Sequence, residues 1–108
     1  MTVLLAWGLL AVAIAIEVAG TSMLKLAEGF AKPAYFFGAI ACYGLCFVLL
    51  TQIFRFIPLS IAYAIWAGVG VALVVTIDMA LFGQALSALK LGCIALIVAG
   101  VVGLKLAP

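Results

Sequence analysis

The sequence of 108 residues contains no histidine and only eight charged side chains, which are 7% of the chain. An ordinary soluble domain carries about 25% charged residues, so this chain has too few of them to cover a water-soluble globule. Apolar residues make up 71% of the chain, and the mean hydropathy is +1.58. This composition excludes a soluble protein and predicts an integral membrane protein that has the lipid bilayer as its partner.

The five basic residues are scattered, so they form no patch for nucleic acid. The three acidic residues stand apart from one another, and neither a nucleophile motif nor a phosphate-binding loop accompanies them. We therefore expect no enzyme activity, no metal and no cofactor. Cys42, Cys46 and Cys93 all lie in apolar segments, and an odd number of cysteines there is typical of small packing residues rather than of a disulfide framework.

Four apolar stretches are long enough to cross a bilayer, since a helical span needs about 20 residues. They cover residues 3–24, 33–54, 58–82 and 87–105. The turns between them are short, and Pro58 suits the first turn of the third helix. The sequence therefore predicts an all-α membrane protein, a single domain over residues 1–108 with four helices that run up-down-up-down. We expect the first span to be retained rather than cleaved as a signal peptide, because no basic residue precedes it.

Glu17 is an acidic residue close to the middle of the first span. An acidic residue at the centre of a span costs about 2.5–3.5 kcal/mol, and proteins accept that cost mainly where the group works in the interior of a helix bundle. Hydrocarbon favours the neutral, protonated carboxyl group. Glu17 is therefore a candidate proton carrier that exchanges its proton for a cation, as the minimal chemistry of an antiporter requires.

The helical period puts small and polar residues on the face of the first helix that carries Glu17. Ala13, Gly20 and Thr21 are the small residues of this face, which also carries Ile14. Small residues beside the carboxyl group leave space for a bulky cation, but they are equally typical of close helix packing. Both interpretations stay open from the sequence.

Aromatic residues inside the spans provide a candidate cation site. Tyr43 and Phe47 share a face of the second helix, and Tyr63 and Trp66 share a face of the third. An aromatic face near a carboxylate attracts a lipophilic ammonium by about 0.5–2 kcal/mol. The alternative is that these side chains are ordinary core aromatics.

Glycines and other small residues mark two further features. Gly68 and Gly70 in the middle of the third helix are a candidate hinge for alternating access, although close packing of another helix explains them nearly as well. The fourth helix carries a set of small residues on which a second copy of that helix could pack. The candidate dimer contacts are Cys93, Ala99, Gly100 and Gly103.

Several motifs together resemble the small multidrug resistance transporters over essentially the whole chain. They are Glu17-Val18-Ala19-Gly20-Thr21, Leu24-Lys25, Glu28-Gly29-Phe30, Ile57-Pro58, Ala62-Tyr63-Ala64-Ile65-Trp66, Gly68-Val69-Gly70, Phe82-Gly83-Gln84 and Ala99-Gly100. The resemblance implies an antiparallel homodimer that exchanges protons for cationic small molecules across the cytoplasmic membrane, with Glu17 as the shared site. It also implies that Tyr43, Tyr63 and Trp66 are aromatic binding positions and that Gly68 and Gly70 form a kink. The cavity-lining positions that it implies on the first helix are Ala13, Ile14, Gly20 and Thr21.

One position separates two branches of that family. Guanidinium exporters carry a tryptophan three residues after the glutamate, whereas this chain has Gly20, as in exporters of quaternary ammonium and other lipophilic cations. Three departures stand beside this match: Ala67 replaces a common serine, Cys93 replaces a glycine, and Asp78 is a second acid within a span. Guanidinium or polyamine export, and a membrane subunit that assembles with partners and transports nothing, are the alternatives.

Overall fold

The computed structural model describes residues 2–107, and the helices in this range are long and apolar enough to cross a membrane. They are α1 (Val3–Leu26), α2 (Pro33–Ile53), α3 (Leu59–Leu81) and α4 (Ala88–Leu106). The protein is a multi-pass membrane protein of the all-α class. Each helix begins and ends within two residues of its predicted bounds. The prediction of a single domain over residues 1–108 stays a prediction.

The helix ends follow local capping chemistry. The side chain of Thr2 accepts a hydrogen bond from the backbone N–H of Leu5 at 3.2 Å and so caps α1, and Ser87 caps α4 through the N–H of Lys90 at 3.1 Å. Pro33 is the first residue of α2, where a missing N–H costs nothing. Pro58 was predicted to lie in the first turn of α3. In the structure it lies just before that helix, which begins at Leu59.

The chain divides into two compact units, Met1–Pro58 and Leu59–Pro108. The first is an antiparallel hairpin of α1 and α2, whose turn is made by Glu28 and Gly29 with positive φ angles of 50° and 71°. Glycine adopts this left-handed conformation without strain. The buried apolar residues of α1 and α2 are Ala6, Leu10, Ala13, Ile14, Val18, Ala39, Cys46 and Ile53.

The second unit is the pair α3 and α4. Close approach at Gly68 joins them: a Cβ atom there would lie 2.7 Å from Cγ2 of Val101 and 3.5 Å from Cγ2 of Ile97. Small residues allow such approach in lipid, where helices associate by van der Waals packing because lipid tails are as apolar as the side chains. None of the residues of α4, all of which the structure describes, is buried.

Candidate functional site

Glu17 lies at the start of a short chain of hydrogen bonds in the first unit. The hydroxyl group of Thr21, one helical turn further along α1, donates to Oε1 of Glu17 at 2.9 Å. The same oxygen of Thr21 lies 2.8 Å from the hydroxyl of Tyr43 on α2, a distance at which either hydroxyl can donate. All three side chains are half-buried. Thr21 thus connects the carboxyl group of α1 to an aromatic side chain of α2.

Close packing of α1 and α2 brings these side chains together. A Cβ atom at Gly20 would lie 3.0 Å from Cβ of Cys42 and 3.5 Å from Cε1 of Tyr43. One turn away on α2, the thiol of Cys46 donates to the carbonyl oxygen of Ala13 at 3.3 Å. The structure therefore supports close helix packing at Gly20. Because glycine has no side chain, α2 lies close enough to α1 for Tyr43 to reach Thr21.

Other predicted site residues of this unit divide between the interior and the surface. Ala13 and Ile14 are buried, so both are packing residues in this structure. Phe47, predicted to share the site with Tyr43, has 68% of its surface exposed. Their predicted contacts with a substrate stay predictions.

The predicted residues of the second unit are Tyr63, Trp66 and the glycine pair. Tyr63 is 69% exposed and Trp66 is half-buried. Both Gly68 and Gly70 are buried, and Val101 packs at Gly68, so the packing interpretation of that glycine has structural support. The predicted hinge, and the joining of Tyr63 and Trp66 with Glu17, stay predictions.

The predicted dimer contacts on α4 lie open. Cys93, Ala99, Gly100 and Gly103 are all exposed. Among residues 2–107, no atom outside the neighbouring residues and the local helix backbone lies within 4 Å of a Cβ atom added at Gly100 or Gly103. Such a surface suits a second helix, and the dimer itself stays a prediction.

Two polar features of the first unit were not predicted from the sequence. The bridging position of Thr21 is one; its spacing of four residues from Glu17 is the signal that could have indicated it. The thiol of Cys46 as a donor to the Ala13 carbonyl is the other, and it has no such signal, because it depends on how α2 faces α1. In the part of the chain that the structure describes, no three His, Cys, Asp or Glu side chains gather as a metal site.

A protein-family model and several known proteins match most of this chain. The family model of the Small Multidrug Resistance protein matches residues 5–97. The chain is 37% identical to the quaternary ammonium compound-resistance protein QacC of Staphylococcus aureus, over 90% of this chain and 91% of that protein. It is 43% identical to QacE, a quaternary ammonium compound-resistance protein of Escherichia coli, over 93% of this chain and 91% of that one. It is also 43% identical to the multidrug transporter EmrE of Escherichia coli K12, over 87% and 86% of the two chains.

Proposed function

The chain belongs to the small multidrug resistance family, and we propose that it exports lipophilic and quaternary ammonium cations across the cell membrane in exchange for protons. One of the relatives above is named a multidrug transporter, and the other two are named for resistance to quaternary ammonium compounds. Proton exchange at Glu17 is the finer part of the proposal. The observation that carries it is the carboxyl group of Glu17, which accepts a hydrogen bond from Thr21 within a predominantly apolar span.

The proposed mechanism uses one carboxyl group for two ligands. A protonated Glu17 is neutral and has little attraction for a cation, whereas the ionised form attracts one strongly in a medium of low dielectric constant. Proton and cation therefore exclude each other at this group. If the loaded site opens to one side of the membrane at a time, each outward cation is exchanged for inward protons, and a proton gradient drives export.

Gly20 supports the lipophilic-cation class over guanidinium. The guanidinium branch carries tryptophan at this position, but in this chain even a Cβ atom at Gly20 would lie 3.0 Å from Cβ of Cys42. The bulk of an indole does not fit between α1 and α2 as they pack here. Aromatic faces such as Tyr43 attract a large ammonium ion by cation-π interaction instead.

The proposed assembly is an antiparallel homodimer. Two copies bring two Glu17 carboxyl groups to the site, and α4 offers the exposed small residues on which a second α4 can pack. The inverted repeat that many transporters hold within one chain is then supplied by two chains.

Purified protein in liposomes tests the proposal. An imposed pH gradient should drive accumulation of radiolabelled tetraphenylphosphonium by the unaltered protein, and Glu17→Gln should abolish it, because the amide has a similar shape but cannot exchange a proton. The matched control is Glu28→Gln: Glu28 lies exposed in the turn before α2, where it pairs with Lys32 at 3.4 Å. Exposed ion pairs of this kind contribute little, so that variant should transport normally.

Gradient-driven accumulation by Glu17→Gln would refute the coupling site. If the unaltered protein transports none of the tested cations, the result would instead favour a membrane subunit without transport activity of its own. Transport of guanidinium but not of tetraphenylphosphonium would favour the other substrate class.

A further inference from the structure

We propose that Thr21 is a positioning residue that couples Glu17 to Tyr43, so that the proton on Glu17 sets which way the hydroxyl of Tyr43 points. The inference rests on the proposed function in one respect, that Glu17 gains and loses a proton during transport. It goes further in assigning a reversible hydrogen-bond chain to Thr21 and Tyr43, with a consequence for the substrate.

With Glu17 ionised, the direction of the chain is fixed from the carboxylate end. A carboxylate only accepts hydrogen bonds, so the hydroxyl of Thr21 must donate to Oε1 at 2.9 Å. Thr21 has one hydrogen, and it is used, so in the 2.8 Å contact with Tyr43 the oxygen of Thr21 accepts and Tyr43 donates. Both hydroxyl dipoles then point their hydrogens toward Glu17.

With Glu17 protonated, the same three groups can hold the opposite direction. The carboxylic acid now has a hydrogen of its own to donate to the oxygen of Thr21. Thr21 in turn donates to the oxygen of Tyr43, and the hydrogen of Tyr43 is released from the chain. No heavy atom has to move, because the 2.8 Å contact suits either donor.

The reversal changes what Tyr43 offers to a substrate. When Glu17 is ionised, the hydrogen of Tyr43 is held by Thr21 and its oxygen lone pairs face away from the chain, which favours a nearby cation. When Glu17 is protonated, the free hydroxyl hydrogen carries partial positive charge and disfavours one. Tyr43 therefore strengthens the competition between proton and cation that Glu17 alone would provide.

Few other ionisable groups face Glu17 in this unit. On α1, Glu17 is the one ionisable residue from Val3 to Met23. From α2, the helix packed against α1, come Tyr43 itself, the thiol of Cys42, a residue that lies against Gly20, and the thiol of Cys46, which donates to the carbonyl oxygen of Ala13. Among the described residues of this unit, the hydroxyl group of Thr21 is the one that donates to the carboxylate of Glu17, at 2.9 Å.

The pH dependence of cation binding tests the chain. In bilayer-reconstituted protein, the pH at which tetraphenylphosphonium binding is half-maximal should rise by about one unit in Thr21→Val, because the carboxylate loses a hydrogen bond that favours its ionised form. Tyr43→Phe should shift the same midpoint upward by less, and it should add nothing once Thr21 is valine. Thr21→Ser should restore the original midpoint, since serine supplies the same hydroxyl.

Thr51→Val is the matched control. Thr51 is an exposed threonine on α2 whose hydroxyl donates to the backbone carbonyl of Phe47 at 3.0 Å. The substitution is chemically the same as at Thr21, but Thr51 makes no hydrogen bond with Glu17, Thr21 or Tyr43. The pH of half-maximal cation binding should therefore not change. A shift as large as that of Thr21→Val would overturn the inference.

A second measurement tests the hydrogen bonds between Glu17, Thr21 and Tyr43 directly, by NMR. With 13C at the ring carbon that bears the hydroxyl, the signal of Tyr43 should titrate with the same midpoint as the labelled carboxyl carbon of Glu17, and this response should vanish in Thr21→Val. Tyr35, at the start of α2, serves as the reference signal. If the Tyr43 signal does not change with pH while the Glu17 carboxyl titrates, the coupling through Thr21 is refuted and the proposed function is unaffected. A Glu17 carboxyl that does not titrate at all would refute both.

Discussion

The Cβ atom of Cys42 lies 3.0 Å from the place that a Cβ atom would occupy at Gly20. A contact this short is tighter than nine in ten contacts of real Cβ atoms, so α1 and α2 approach each other closely at Gly20. The hydroxyl of Tyr43 reaches Thr21 beside this contact. The packing of two small residues therefore fixes the geometry of the polar group next to them.

Gly20→Ala should lower both the stability and the transport activity. The added methyl group forces α2 away from α1, and overpacking of this kind costs about 1–3 kcal/mol. Gly8→Ala is the control on the same helix, since no described atom beyond the adjacent residues and the local helix backbone lies within 4 Å of a Cβ atom there. It should stabilise the protein by about 1 kcal/mol through helix propensity. Thermal unfolding in detergent and transport in liposomes measure the two effects. Equal stability of the two variants would contradict the close contact.

Cation binding should release protons from the protein. If both ligands compete for Glu17, a cation that binds displaces protons, and by linkage a lower pH weakens cation binding to the same extent. Adding tetraphenylphosphonium to weakly buffered protein should therefore acidify the solution. The signal should be absent in Glu17→Gln and intact in Glu28→Gln. Binding without proton release in the unaltered protein would separate the two ligands and argue against exchange at one carboxyl group.

Trp66 should contribute to binding through its aromatic face. A cation-π contact contributes about 0.5–2 kcal/mol, so Trp66→Ala should weaken tetraphenylphosphonium binding by about 2- to 30-fold. Trp66→Phe retains a weaker π face and should lose less. Trp66→Leu keeps apolar bulk without a π face, so it separates attraction for the cation from packing. If the leucine variant binds as well as the phenylalanine variant, Trp66 is a core residue.

Gly68 allows its two interpretations to be separated by one pair of substitutions. Gly68→Ala should destabilise the protein, because Cγ2 of Val101 lies 2.7 Å from the added atom. Combining it with Val101→Ala removes the obstruction and should recover the thermal stability. If transport recovers as well, packing explains the glycine. If stability returns without transport, the helix needs the freedom of a hinge at this position.

The sequence predicted the helices and the candidate proton site, but not the contacts between helices. Glu17 and Thr21 are four residues apart on one helix, so their nearness follows from the helical period alone. The partnership of Thr21 with Tyr43 depends on the rotation of α2 about its axis. That helix is apolar nearly all round, so no hydrophobic stripe fixes its rotation. What fixes it is the fit of Cys42 against Gly20 and of Met23 against Gly38, which no pattern within a single segment contains.

The distribution of basic residues bears on how the chain inserts into the membrane. With four spans that alternate in direction, the turn with Arg55 lies on the same side as Lys105, whereas Lys25, Lys32 and Lys90 lie on the other. The positive-inside rule orients a chain by such an excess, and an excess of one residue is too small to fix the orientation. The chain should therefore insert both ways round.

Dual insertion supplies the two opposed copies that an antiparallel dimer needs. Adding two or three lysines to either set of loops should force one orientation, and each biased variant should be inactive alone because it lacks an inverted partner. Co-expression of two oppositely biased variants should restore transport, since their subunits can then pair. Labelling of single cysteines placed in the loops confirms the orientation of each variant. Full transport by one biased variant expressed alone, with a single orientation shown by that labelling, would reject the antiparallel dimer, because then parallel subunits suffice to carry a cation past Glu17.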